Sequence, residues 1–190
     1  YFTRINTQIP EFLHDERNSE LYLPLLTPQP YDYIPMEETI GEFELFNVSG
    51  WDKELDGKLQ TAFPKYTFRS GTSVLMKILS RMEGKRKMLV FLENEYMCIA
   101  AVEGDKMLGA NGFTFDNKND FLYYLVAFAQ VIYKDTNELY LYMGGNIEEN
   151  SLLYPAVKKY FSEVRFVDPG SPITNRQLHR FCDLLLYEGE

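Results

Sequence analysis

A two-lobed α/β fold is predicted for this 190-residue chain by three features of its second half. From Lys87 the run KMLVFLENEYMCIAAVEGDKMLGANGFTF reads as three short strands joined by tight turns. It passes directly into NKNDFLYYLVAFAQVIY, whose apolar residues recur at helical spacing. LYLYM, a further helix and VRFV then complete the order β-β-β-α-β-α-β up to Val167.

Each element has a local reason. KMLVFLE (87–93) is apolar on both alternating sets, as in a central strand covered on both faces. Glu93-Asn94-Glu95 supplies its first turn. Glu103-Gly104-Asp105-Lys106 supplies the second, where Gly-Asp suits a two-residue hairpin loop. Asp116 or Asn117 is the expected N-cap of the long helix, with Asp120 in the first turn favoured by the helix dipole. Phe121, Tyr124, Leu125, Phe128 and Ile132 share one side of that helix, widened by Leu122 and Val126. Gly144-Gly145 break the strand LYLYM, and a helix is expected from about Ser151 to Phe161, with Pro155 in its first turns.

The first half reads less clearly. Residues 1–37 are irregular in pattern and punctuated by Pro28, Pro30 and Pro35. ELYLPLL (20–26) is a candidate strand that Pro24 demotes to an edge. EFELFNV (42–48) alternates as a half-buried strand does, and Ser49 is the expected cap of a helix lined by Trp51, Leu55, Leu59 and Ala62. A strand YTFRS (66–70) and a helix from about Thr72 to Met82 follow, with Val74, Leu75, Ile78 and Leu79 buried. The expected division is a first lobe at 1–83, a second at 84–168 and a closing helix within 169–190, where Leu178, Phe181, Cys182 and Leu185 face inward.

Composition excludes several classes. The formal net charge of −9 disfavours broad binding to nucleic acid or anionic membranes, because an acidic surface repels phosphates. Fourteen Tyr and fourteen Phe argue for a packed core rather than disorder. Cys98 and Cys182 lack metal-ligand spacing and read as reduced structural thiols, and the only histidines, His14 and His179, are too far apart in sequence to suggest zinc. No apolar run reaches the roughly 18 residues that cross a bilayer, so a cytoplasmic location is expected.

The strand and helix order of the second half is the plan of a ribonuclease H-like half-domain, the unit doubled in actin-like ATPases. NDFLYYLVAFAQ, LYLYMGGNIEENSLLYPAVKKYFSEVRF and, upstream, LFNVSGWDKELDGKLQTAFPKYTFRSGTSVLMKIL resemble a bacterial family known as domain of unknown function number 3822. The likeness covers roughly residues 40–168 and implies an actin-like (ribonuclease H-like) ATPase-superfamily fold, nearest to actin-like proteins of pilus assembly and type II secretion. It also implies further strands before Tyr1, so the first lobe is expected to be incomplete at its start. The resemblance transfers no catalytic residue, and fold alone does not fix function.

Gly144, Gly145 and Asn146 are the candidate nucleotide-facing loop, because in actin-like ATPases a strand ending in Gly-Gly lies against the adenosine. The companion feature differs. In those ATPases the hairpin between the first two strands of each lobe is glycine-rich with an aspartate, cradling phosphate and orienting magnesium. Here it reads Leu92-Glu93-Asn94-Glu95-Tyr96, without glycine and with two carboxylates. Glu93, Glu95, Asp116 and Asp120 suggest a two-metal nuclease, but such enzymes place an aspartate in the first strand, where this chain has Val90 and Phe91. Lys77, Arg81, Lys85, Arg86 and Lys87 read as a solvated helix end complementing its dipole, or as a site for an acidic partner. Tyr123, Tyr124, Tyr140 and Tyr142 read as packed aromatics or, if exposed, as a protein interface. The resulting expectation is a non-catalytic interaction or scaffold module with a protein partner, no catalytic or metal-ligating residue and no required cofactor. The alternative is an ATP-binding switch or phosphotransferase using ATP and magnesium.

Overall fold

The computed structural model describes residues 5–25, 32–147 and 151–168, and the expected closing helix lies outside them, with Cys182 and His179. The chain divides into two compact units, Tyr1–Val74 and Leu75–Glu190. The division falls inside a helix rather than in the turn after it.

The first unit opens with a strand that the sequence pattern hid. Strands β1 (Asn6–Pro10), β2 (Tyr33–Ile40) and β3 (Leu45–Asp52) form an antiparallel sheet in the order β1-β3-β2. Pro10 and Pro35 sit in edge strands, where a missing backbone donor can face away from the ladder. Residues 20–25 of ELYLPLL are helical instead of extended: α1 (Ser19–Tyr22) runs into a 3-10 turn at Leu23–Leu25, and Leu26 lies outside the described residues. Leu23 packs with Ile9 and Val48 on the sheet, so tertiary burial decides this segment.

The expected cap at Ser49 is displaced by three residues. Ser49 is buried in β3 and paired with both Asn6 and Met36, so the strand continues to Asp52. Asp52, extended at φ −63° and ψ 121°, accepts a bond from the Leu55 amide at 2.8 Å and starts α2 (Lys53–Ala62). Trp51 therefore belongs to the strand and packs on Phe68 at 4.3 Å, while α2 itself buries no residue fully. YTFRS forms no strand. Its backbone is drawn elsewhere: the Ser70 amide donates to the Glu38 carboxylate at 2.7 Å and the Tyr66 amide to the Phe63 carbonyl at 3.1 Å, while the Tyr66 hydroxyl donates to Asp56. Helix α3 (Gly71–Arg81) follows as expected, with Leu75, Met76, Ile78 and Leu79 buried.

In the second unit the expected order holds throughout. Strands β4 (Arg86–Glu93), β5 (Tyr96–Glu103) and β6 (Lys106–Thr114) form an antiparallel meander, followed by α4 (Lys118–Tyr133), β7 (Leu139–Gly145), α5 (Leu153–Val157) and β8 (Glu163–Phe166). The sheet order is β6-β5-β4-β7-β8, with β4, β7 and β8 parallel. Helix α4 is capped by Asn117, whose side chain accepts from the amides of Asn119 and Asp120. One core lies between this helix layer and the sheet, built from Met88, Val90, Leu92, Met97, Ile99, Phe121, Leu125, Leu141, Met143, Val157 and Phe161. Cys98 lies in β5, buried.

Three side chains, Arg86, Lys87 and Tyr133, fix the start of β4. Arg86 donates to the carbonyls of Tyr133, Asp135 and Asn137, at and just past the end of α4, at 2.7–2.9 Å, and to the Asp135 carboxylate at 2.9 Å, which lowers that carboxyl's pKa. Lys87, buried on the opposite face, donates to the Ser80 and Met82 carbonyls at the end of α3, at 3.1 and 2.7 Å. Desolvation lowers the Lys87 pKa, opposed by the charge of Asp105. The basic run is thus partly a pair of helix caps, one per face of the sheet. The Tyr133 hydroxyl takes the Val102 amide at 3.0 Å and donates to the Lys87 carbonyl at 2.7 Å, beside the β5–β6 bulge at Ala101/Val102. Replacing Tyr133 with Phe leaves that buried amide unpaired. Tyr133→Phe is expected to cost about 1–3 kcal/mol in urea unfolding, whereas the exposed Tyr123→Phe should be neutral.

Candidate functional site

The structure brings the candidate loop and the candidate hairpin together at one end of the second sheet. Parallel pairing of β4 with β7 sets Phe91 beside Gly144 and Leu92 beside Gly145. Leu92 immediately precedes the β4–β5 turn, where Asn94 takes a positive φ of 53° and Glu93, Asn94 and Glu95 are exposed. The Phe115 amide donates to the Glu95 carbonyl at 2.9 Å, so Asp116 and the start of α4 adjoin the same end. There the Asp120 carboxylate accepts from the Asn117 side chain at 2.7 Å and the Asp116 amide at 3.3 Å. Glu93, Glu95, Asp116 and Asp120 therefore make an acidic fringe. Among the described residues no three His, Cys, Asp or Glu side chains converge as a metal site requires.

Gly144 and Gly145 are buried and Asn146 is exposed. Gly145 has φ +81°, a region that L side chains rarely adopt. A Cβ at this position would run into the Leu92 carbonyl oxygen and lie 2.8 Å from the Leu92 nitrogen. The glycine is required by close approach of this chain's own backbone. The Asn146 amide donates to the Leu92 carbonyl at 2.7 Å, and the Ile147 amide folds back on the Gly145 carbonyl at 2.8 Å. On the other side of β7, the Val167 amide donates to Met143 at 2.9 Å. The helix expected at Ser151–Phe161 is shorter than its pattern: α5 has five residues, followed by 3-10-type turns through Tyr160. Pro155 lacks the donor that a longer first turn would use. A helix this short offers little dipole to the loop before it.

A second polar cluster, absent from the sequence reading, lies at the start of α3 within the first unit. The Glu38 carboxylate accepts from the Ser70 amide at 2.7 Å and the Ser73 hydroxyl at 2.9 Å. The Asn47 side chain donates to the same hydroxyl at 2.9 Å, and all three neighbours, Asn47, Ser70 and Ser73, are buried. A carboxylate at a helix N-terminus satisfies orphan amides and opposes the positive dipole end. The run Ser70-Gly71-Thr72-Ser73 signals the cap, but its partner Glu38 lies over thirty residues away in sequence. His14, too, is engaged internally, stacked on Phe46 at 3.7 Å and paired with Glu37 at 3.0 Å. Tyr140 and Tyr142 pack on the turn before β4: Tyr142 donates to the Glu83 carbonyl at 3.0 Å, and Arg165 bridges the Tyr140 ring and the Glu83 carboxylate.

The β-β-β-α-β-α-β order of the second unit is that of the actin-like ATPase fold. A Bacteroides thetaiotaomicron VPI-5482 protein with actin-like ATPase fold and unknown function superposes with a TM-score of 0.80 at 23% identity, over 98% of this chain and 71% of that one. PilM, in the PilM–PilN type IV pilus biogenesis complex, superposes with a TM-score of 0.60 at 12% identity, over 95% of this chain and 74% of its own. At the level of sequence, residues 2–164 match the family described as protein of unknown function, DUF3822, and the chain belongs to that family. No curated protein matches it. Among the described residues no helix is long and apolar enough to cross a membrane.

Gly145→Ala is expected to destabilise by about 2 kcal/mol from its backbone conformation alone, and by more through collision with Leu92. Equilibrium unfolding of Gly145→Ala against Gly104→Ala, where a Cβ meets open space at φ +61°, isolates the contact contribution.

Proposed function

We propose that this chain is a non-catalytic interaction or scaffold module of the cytoplasm, built on an actin-like framework whose nucleotide chemistry has been lost. One observation carries the reading: the Asn146 amide, at the candidate nucleotide loop, is committed to the Leu92 carbonyl, and Gly145 is filled against the same residue. The neighbouring turn adds to it. Glu93 and Glu95 are exposed there without a glycine between them, so an approaching triphosphate meets carboxylates rather than a cradle of amides. A protein partner is favoured by analogy with PilM, whose structure is that of a complex with PilN.

The second reading is an ATP-binding switch or phosphotransferase, with Gly144, Gly145 and Asn146 against the nucleotide and magnesium supplied alongside. The fold itself favours it. The two readings separate in a thermal-shift titration of Mg-ATP, because a ligand at about a hundred times its Kd stabilises the native state by about 2.7 kcal/mol. No movement of the melting temperature at millimolar Mg-ATP is expected. A magnesium-dependent rise of several degrees would overturn the scaffold reading.

A further inference from the structure

The outer side of α4 carries apolar surface that no described residue covers. Val131 is 80% exposed, Tyr123 68% and Tyr160 52%. A groove of about 370 Å³ runs along the helix, lined by Leu122, Tyr123, Val126, Ala127 and Gln130 and walled by Tyr160. Its lining is uncharged, but its two ends are not.

At the first end lies the acidic fringe of Glu93, Glu95 and Asp116, all exposed. At the other end stand Lys134, Lys158 and Lys159, also exposed. The Thr136 hydroxyl, donating to the Tyr160 carbonyl at 3.4 Å, holds the lysine-bearing turn beside the end of α4. Asp135, at this basic end, is tied to Arg86. Lys118 and Glu138 each run against the sign of their own end without reversing it. An apolar stripe with one acidic and one basic end is self-complementary when turned end for end.

We infer that α4 is a self-association face, on which a second copy of this chain packs its own α4 antiparallel across a twofold axis. Antiparallel pairing sets Asp116 of each copy toward Lys134 of the other, whereas parallel pairing sets like charges together. A twofold dimer requires such a self-complementary patch. The sixteen-residue helix is about 24 Å long, which gives an interface smaller than the 2,000 Å² or more of obligate dimers. The dimer is therefore concentration-dependent. The inference rests on the interaction-module reading and names one partner for it.

Light-scattering mass measurement across a wide concentration range tests it. The wild-type mass should climb from 22.3 kDa toward twice that value. Val131→Glu and Tyr123→Glu should stay monomeric with unchanged circular dichroism, both positions being exposed. Lys134→Glu and Asp116→Lys should each weaken the dimer about tenfold, and the double variant should recover most of that loss, since the swapped charges face each other again. A monomer at every concentration, a dimer indifferent to Val131→Glu, or a double variant no better than the singles would each overturn the pairing. A monomer that also ignores Mg-ATP removes the pairing alone and leaves the non-catalytic reading standing.

Discussion

The second lobe depends on the first two residues of β4 holding the ends of two helices at once. Successive residues of a strand point to opposite faces of its sheet. Arg86 turns to one face and binds the carbonyls past α4, while Lys87 turns to the other and binds those at the end of α3. Burying an ammonium without partners is costly, and here it is offset by two carbonyls at the negative end of a helix dipole. With both helices anchored, the rest of β4 from Met88 to Leu92 is covered on both faces and fully apolar. That one strand can then pair antiparallel with β5 and parallel with β7, the mixed arrangement on which the lobe is built.

The same strand decides the character of its far end. Leu92 is the last buried residue of β4, and its carbonyl receives the Asn146 amide where β7 leaves the sheet. Glycine at position 145 permits that closure, and the carboxylates of the adjoining turns give the surface a negative potential. Fold and chemistry are separable properties, and the site decides the second.

Much of the second lobe was legible because its signals are local. The turn glycine at 104, the cap at Asn117 and the double-sided apolar run of β4 each act within a few residues, and each reappears in place. The first unit was hidden because its determinants are distant. β1 and β2 carry prolines and weak alternation, and they are strands because both pair with β3. Residues 66–70 looked extended, yet Glu38 and Asp56 take their donors. At the candidate site the sequence placed Gly144-Gly145 as a break after LYLYM, whereas β7 runs through both glycines and Asn146 follows its end. The sequence could not reveal that the close approach permitted by Gly145 is to Leu92, since that depends on the register of two strands over fifty residues apart.

Amide hydrogen exchange at Asn146 tests the closure of this end most directly. The account predicts a slowly exchanging amide, held by the Leu92 carbonyl at 2.7 Å and indifferent to Mg-ATP. An amide that exchanges freely in the isolated protein and becomes protected only when nucleotide is added would contradict it.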